Sequence, residues 1–300
     1  MTCELNLSLG ELLISGCLNR ELIPLLDEFE SLIIVVGGQA LYYWIDYYYD
    51  FHDKTHDEQI ESVDIDYVAK LNDARKLPKI WNVDVYNEAK DSPPPSLATI
   101  LLRNKDEIKN KDGSFFIDTD EYLRKNELKP NIVDIIDRPT GFSHRDFTDN
   151  KKIELNTECF EYPKKWQCPS NPKLRILNPV SCLKSRLSNI SAKIKDIQTE
   201  KERIKAIRVP IHAFLEQKFK TNEFRAAKKY MDYFLEVIES SDGLKMETLH
   251  AVSLLNIVKS LNDDVLNKLR LPEKYLSLDL QNSINRIDNK ISKKMRVSSK

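Results

Sequence analysis

Three aspartates and one pair of glycines are the residues of this sequence whose types and spacing could do chemistry. Asp64 and Asp66 lie two apart in Ser62-Val63-Asp64-Ile65-Asp66-Tyr67-Val68, which alternates in the manner of a β-strand. With a period of two, both carboxylates leave one face while Val63, Ile65 and Tyr67 turn to the core. Carboxylates about 7 Å apart along one pleat repel each other unless a cation lies between them. The pair therefore fits a divalent metal. Asp134 is a third candidate, mid-strand in Asn131-Ile132-Val133-Asp134-Ile135-Ile136-Asp137, hemmed in by Val133 and Ile135. Asp137 has the opposite parity and precedes the turn sequence Arg138-Pro139-Thr140-Gly141, so it reads as a strand-end carboxylate. Asp84, in Asn82-Val83-Asp84-Val85, is the runner-up for the third acid.

The glycines come earlier. Gly37 and Gly38 follow the β-branched run Ile33-Ile34-Val35-Val36, and a chain with only seven glycines has placed two side by side at a strand's end. That predicts a tight turn or a close backbone approach to a ligand. The residues Gln39 to Tyr49 read as a helix, whose unpaired first-turn N–H groups would make an anion site beside the glycines. A D-x-D motif alone is common on solvated strand faces; its weight here comes from lying two elements after that turn. His52 and His56 have the i,i+4 spacing of helical metal ligands, but their polar segment with no third ligand nearby reads as a solvated loop.

These residues need elements to hold them. Leucine- and isoleucine-rich residues 9–30 predict one or two helices, with Gly16 and Pro24 as break points. The aromatic run Tyr42 to Tyr49 reads as a core helix. Ala98–Leu102, Phe115–Ile117 and Leu174–Leu177 read as further strands, with a rigid break at Pro93-Pro94-Pro95. Asn178-Pro179 is a helix start, Asn at the cap and Pro at the first helical position. Leu183, Leu187, Ile190, Ile194 and Ile197 then form an apolar stripe. Helices are expected over roughly 178–208, 210–220, 222–240, 245–270 and 273–294, divided at Pro210, Gly243 and Pro272. The fold class expected is α+β: a mixed sheet flanked by helices over 1–177, then an all-helical part over 178–300.

Composition narrows the class further. At 300 residues, 41% apolar and 31% charged, the chain suits about two soluble domains. No apolar run approaches the ~20 residues needed to span a bilayer, and Met1-Thr2-Cys3-Glu4 opens no signal peptide. The five cysteines are scattered and never spaced C-x-x-C, which argues against a disulfide framework or zinc site and for a reducing cytoplasm. The net charge of −1 hides two opposite halves: residues 161–300 hold 28 Lys and Arg against 16 Asp and Glu, and residues 1–160 hold 18 against 31. An acidic half suits a divalent metal and a basic half a phosphate-bearing partner, although two such halves also attract each other.

Taken together, Val35-Val36-Gly37-Gly38-Gln39-Ala40-Leu41, Val63-Asp64-Ile65-Asp66-Tyr67 and the later strand carboxylate Asp134 resemble the nucleotidyltransferase superfamily of the polymerase-beta-like fold. The likeness is to its bacterial branch of abortive-infection-type toxins, and Asn178-Pro179-Val180-Ser181-Cys182-Leu183-Lys184 is similar to the helix start after that branch's sheet. The resemblance covers about residues 25–200. It implies transfer of a nucleoside monophosphate from an NTP to a hydroxyl, with two Mg²⁺ ions. Asp64 and Asp66 would bridge the metals and Asp134 would hold the one near the acceptor. The Gly37, Gly38 and Gln39 backbone would cradle the triphosphate, and Lys184 would contact a nucleotide phosphate. Many members carry Ser where this chain has Gly38, but Gly-Gly is itself a common form, and all three acids are present.

The implied partners are an NTP, a macromolecular acceptor (an RNA such as tRNA, or a protein) and a neutralising antitoxin, in a toxin or phage-defence setting with no membrane. Two rival classes stay open at this point: a small-molecule, antibiotic-type nucleotidyltransferase, and a catalytically silent binding module of the same fold.

Overall fold

The run Ile33–Val36 forms strand β1, with all four residues buried. Unbroken β-branched side chains on both faces are what a central strand of a covered sheet requires. The computed structural model describes residues 18–19, 22–48, 64–81, 85–87, 96–102, 131–161, 171–194 and 196–298. Within these, six further strands join β1: β2 (Asp64–Val68), β3 (Val85–Asn87), β4 (Ser96–Leu102), β5 (Asn131–Ile136), β6 (Thr157–Cys159) and β7 (Leu174–Leu177). The sheet runs β3-β4-β5-β2-β1-β7-β6. It is mixed: β1 is antiparallel to β2 and parallel to β7, β2 is parallel to β5, and β4 is antiparallel to β5.

Alternation along β2 and β5 separates the two faces of this sheet. Ile65, Tyr67, Val133 and Ile135 are at most 1% exposed. Tyr67 donates its hydroxyl to Asn19 Oδ1 at 2.8 Å and lies 5.7 Å, ring to ring, from Trp81, whose indole N–H donates to the Leu18 carbonyl. The approach to β1 is fixed by Asp73, fully buried, which accepts hydrogen bonds from the amides of Glu30 and Ser31 and from the Ser31 hydroxyl. Burial opposes the charge on Asp73, but the Ser31 hydroxyl, those amides and Lys76 outweigh it and hold the carboxyl below its usual range.

Helix α1 (Gly37–Tyr48) begins at the first glycine. The sequence puts a turn before a helix starting at Gln39; instead both glycines belong to the helix's first turn, entered through a Gly37 φ of +69°. Tyr42, Tyr43 and Trp44 are buried as core residues, while Tyr47 is exposed. Short helices α2 (Leu71–Ala74), α3 (Leu77–Ile80) and α4 (Asn150–Asn156) complete this part. The segment Ile23–Glu28 is a 3₁₀ turn with Pro24 in its first turn.

The molecule divides into two units. One holds the described residues through Tyr43 and again from β2 to Asn178; the other holds the end of α1 from Trp44, and everything from Pro179. The second unit is helical: α5 (Pro179–Ala192), α6 (Ile197–Thr221), α7 (Phe224–Glu239), α8 (Ser241–Leu249), α9 (Leu255–Asp264) and α10 (Gln281–Ser298), with a π-helical turn at Tyr275–Leu280. Four expected boundaries differ. Gly243 does not divide helices but lies inside α8, whose Ser240 cap accepts from the Gly243 amide, and the helix expected over 245–270 is interrupted between Leu249 and Leu255, where Ala251 takes a φ of +53°. The chain breaks between α5 and α6, where Lys193 takes a φ of +55° and the Asp196 side chain caps α6 through the Thr199 amide. It does not break at Pro210, which is buried within α6 among Ile207, Ile211 and Phe214; packing there overrides a helix breaker that costs about 3 kcal/mol in isolation.

This unit's interior carries a buried ion triad. Glu200 Oε1 accepts from Arg186 at 3.1 Å and Arg203 at 3.3 Å, and Glu200 is 0% exposed. Among the described residues no helix is long and apolar enough to cross a membrane. The expectations for Phe115–Ile117, Pro93-Pro94-Pro95, Asp84, His52 and His56 lie outside the described residues.

Candidate active site

The register of the sheet brings the singled-out residues together. Val36 pairs with Asp66 across β1 and β2, Asp66 pairs with Asp134 across β2 and β5, and Asp134 pairs with Thr99 across β5 and β4. Residues paired across neighbouring strands project from the same face. Adjacent strands lie about 4.8 Å apart, so Asp66 and Asp134 are lateral neighbours in one row. Both are only partly buried, whereas the residues before and after each are in the core. Asp66 and Asp134 therefore share one face of the sheet. Asp64 occupies the first position of β2, with Ile132 as its backbone partner; its side chain lies outside the described residues.

Two contacts fix this row. Thr99 Oγ1 donates to Asp134 Oδ1 at 2.6 Å, and Ser96 Oγ lies 3.2 Å from Thr99 Oγ1. On the other side Asp66 rests on Gly37. A Cβ built on Gly37 would lie 1.8 Å from Asp66 Oδ2 and 2.8 Å from its Cγ. The carboxylate thus fills the space that any other residue's side chain would need. The same glycine has the positive φ that L side chains rarely adopt. Gly37 is therefore required twice, once by the backbone and once by Asp66.

Helix α1 leaves from that glycine, and its first-turn amides have no intrahelical partners by construction. An acidic pair thus stands next to a helix N-terminus, which favours negative charge. Gln39 is in this first turn and 1% exposed. Lys184 belongs to the second unit, on α5, where its ammonium lies 5.7 Å from the centroid of the Tyr233 ring. Asp137 stands just past β5, paired with Arg138 and with His144 Nδ1, in keeping with its reading as a strand-end carboxylate.

Nothing in the sequence marks Thr99. A threonine in a strand is unremarkable by type, and only the β4–β5 register reveals that its hydroxyl meets Asp134. Among the described residues no three His, Cys, Asp or Glu side chains converge as a ready metal cage. Asp66 and Asp134 are nevertheless suited to a small hard cation. Both are oxygen donors with no Cys or His beside them in the row, the donor set of Mg²⁺ or Mn²⁺ rather than zinc. The Gly37 cradle holds one of them against the helix start.

Comparison of the chain with protein-family models, with characterised proteins and with solved structures gives no match.

Proposed function

We propose that this protein is a metal-dependent nucleotidyltransferase. It would move a nucleoside monophosphate from an NTP to a hydroxyl of a macromolecular acceptor, an RNA such as tRNA or a protein. The observation that carries the reading is the seating of Asp66 against Gly37, at the start of a helix and laterally beside Asp134. One such arrangement offers carboxylates for a divalent cation and backbone amides for a polyphosphate on adjoining atoms of the chain.

In the reaction the acceptor oxygen attacks the α-phosphorus. The bond from that phosphorus to the bridging oxygen of the β-phosphate breaks, pyrophosphate leaves, and the hydroxyl proton passes to solvent. Asp66 and Asp134, with Asp64 on the same strand face by parity, would hold Mg²⁺. Bound there, Mg²⁺ supplies charge neutralisation at the attacking and leaving oxygens. The chain's own part is positional. Gly37 keeps Asp66 and the α1 amides in fixed relation, and Thr99 fixes the Asp134 carboxylate through one oxygen. The basic excess of residues 161–300 suits a phosphate-bearing acceptor. Action as a toxin or phage-defence effector, neutralised by an antitoxin, is the setting in which we place this activity.

Isothermal titration with each NTP tests the reading at the binding step. Saturable heat that requires Mg²⁺ and disappears in Asp66→Asn is expected. Metal-independent binding, or none with any of the four NTPs, would favour a silent module of this shape instead.

A further inference from the structure

A cleft of about 210 Å³ opens in the first unit, at the end of the sheet where β1 begins and β2 and β5 finish. It adjoins the candidate active site, two residues along the same strands: Ile34 against Val36 on β1 and Val68 against Asp66 on β2. Ile34 and Val68, Cα partners across β1 and β2, line it and are 1% and 4% exposed. Leu97 and Phe147 add further apolar wall, and Leu71 stands at the mouth, 45% exposed. Leu71 thus carries the apolar wall out to the rim of the hollow.

Among the described residues the cleft is lined by one lysine and one carboxylate, and the carboxylate, Asp137, is already engaged by Arg138 and by His144 Nδ1 at 3.0 Å. Lys70 lines the cleft and is exposed, and among the described residues no carboxylate lies within ion-pair distance of its ammonium. With Asp137 already paired, Lys70 leaves the cleft suited to an anion on an apolar body. The volume is below the ~300–1,000 Å³ of sites that take drug-sized ligands, so the ligand is small.

We propose that this cleft binds a small organic anion of the alkyl- or aryl-carboxylate class. Its hydrocarbon part packs on Ile34, Val68 and Leu71, and its carboxylate meets the Lys70 ammonium. Nothing in this proposal depends on the nucleotidyltransferase reading, and the two fail separately.

The test is an NMR titration of the full ¹⁵N-labelled chain with hexanoate, and with hexanol as the uncharged comparison. Hexanoate should give saturable shifts with a Kd on the order of millimolar, and hexanol should bind several-fold more weakly. Lys70→Met should weaken hexanoate roughly two- to fivefold and leave hexanol unchanged. Leu71→Asp, at an exposed position that leaves the fold intact, should weaken both roughly tenfold. Unsaturable shifts, hexanol binding as tightly as hexanoate, or hexanoate binding untouched by both variants would each overturn the proposal.

Discussion

Substituting Gly37 by alanine is the perturbation whose consequences the geometry fixes most tightly. Two costs add. An L residue held at the Gly37 φ of +69° loses about 1–2 kcal/mol. The new methyl would also arrive 1.8 Å from Asp66 Oδ2. Ordinary contact begins near 3.4 Å, so the carboxylate must swing aside, at about 0.5–1.5 kcal/mol for an off-rotamer side chain. Together the two costs come to about 1.5–3.5 kcal/mol, read as a lower urea midpoint at unchanged slope. On the proposed function, displacement of a carboxylate by an ångström or more costs on the order of 10²-fold in transfer rate.

A double-mutant cycle separates the two terms. In an Asp66→Ala background the carboxylate is gone, and Gly37→Ala should cost only the backbone share, leaving a coupling of about 1 kcal/mol. Equal costs in both backgrounds would refute the claim that Asp66 is seated on this glycine.

Further expectations concern the neighbours of the site and the stability of each unit. Thr99→Val keeps the shape but removes the donor to Asp134 Oδ1; it should lose about 1 kcal/mol of stability and roughly tenfold in label transfer, and unchanged transfer would remove Thr99 from the site. Glu200→Gln leaves Arg186 and Arg203 without their buried counter-charge, and should lower stability in urea by about 3 kcal/mol. The acid limb of stability should carry the sign of Asp73: its folded pKa is depressed, so its contribution is present above the usual value near 3.8 and is lost as pH falls through the folded value. Asp73→Asn should flatten that limb in a pH series of urea midpoints. Glu247 has the opposite sign, because burial raises its carboxyl despite the Leu255 and Leu254 amides it accepts from. Its folded state holds a proton longer than the unfolded one, so stability falls as pH rises from 4.5 through the raised value. Glu247→Gln, which keeps an acceptor for both amides, should remove that slope.

Much of the site could be read from local pattern. Ile33–Val36, the two glycines and the helix after them are signalled by β-branching, by backbone freedom and by aromatic content, all properties of neighbouring residues. Parity along β2 likewise separates Asp66 from the core-facing Ile65 and Tyr67, and parity along β5 separates Asp134 from Asp137, without knowledge of the sheet. Register is another matter. That Asp66 stands beside Asp134, and Asp134 beside Thr99, depends on strands separated by tens of residues, and no residue's type announces it. The Gly37 contact with Asp66 is of the same kind: the glycine pair marks a close approach, but not to what. In the helical unit the misplaced boundaries have local causes that compete. Pro210 is a strong breaker overruled by its own burial on the apolar face of α6, while the true break at Lys193 falls on an unremarkable lysine followed by a modest Asp196 cap.

The most direct test of the account is transfer of label from α-³²P NTPs in Mg²⁺ to total RNA and to protein. The wild-type chain is compared with Asp66→Asn and Asp134→Asn, each verified as folded by circular dichroism. Label should appear on a macromolecular acceptor with at least one NTP, and fall by about 10²-fold or more in both variants. Transfer that survives in either folded variant, or no transfer by the wild-type chain to any acceptor, would contradict it.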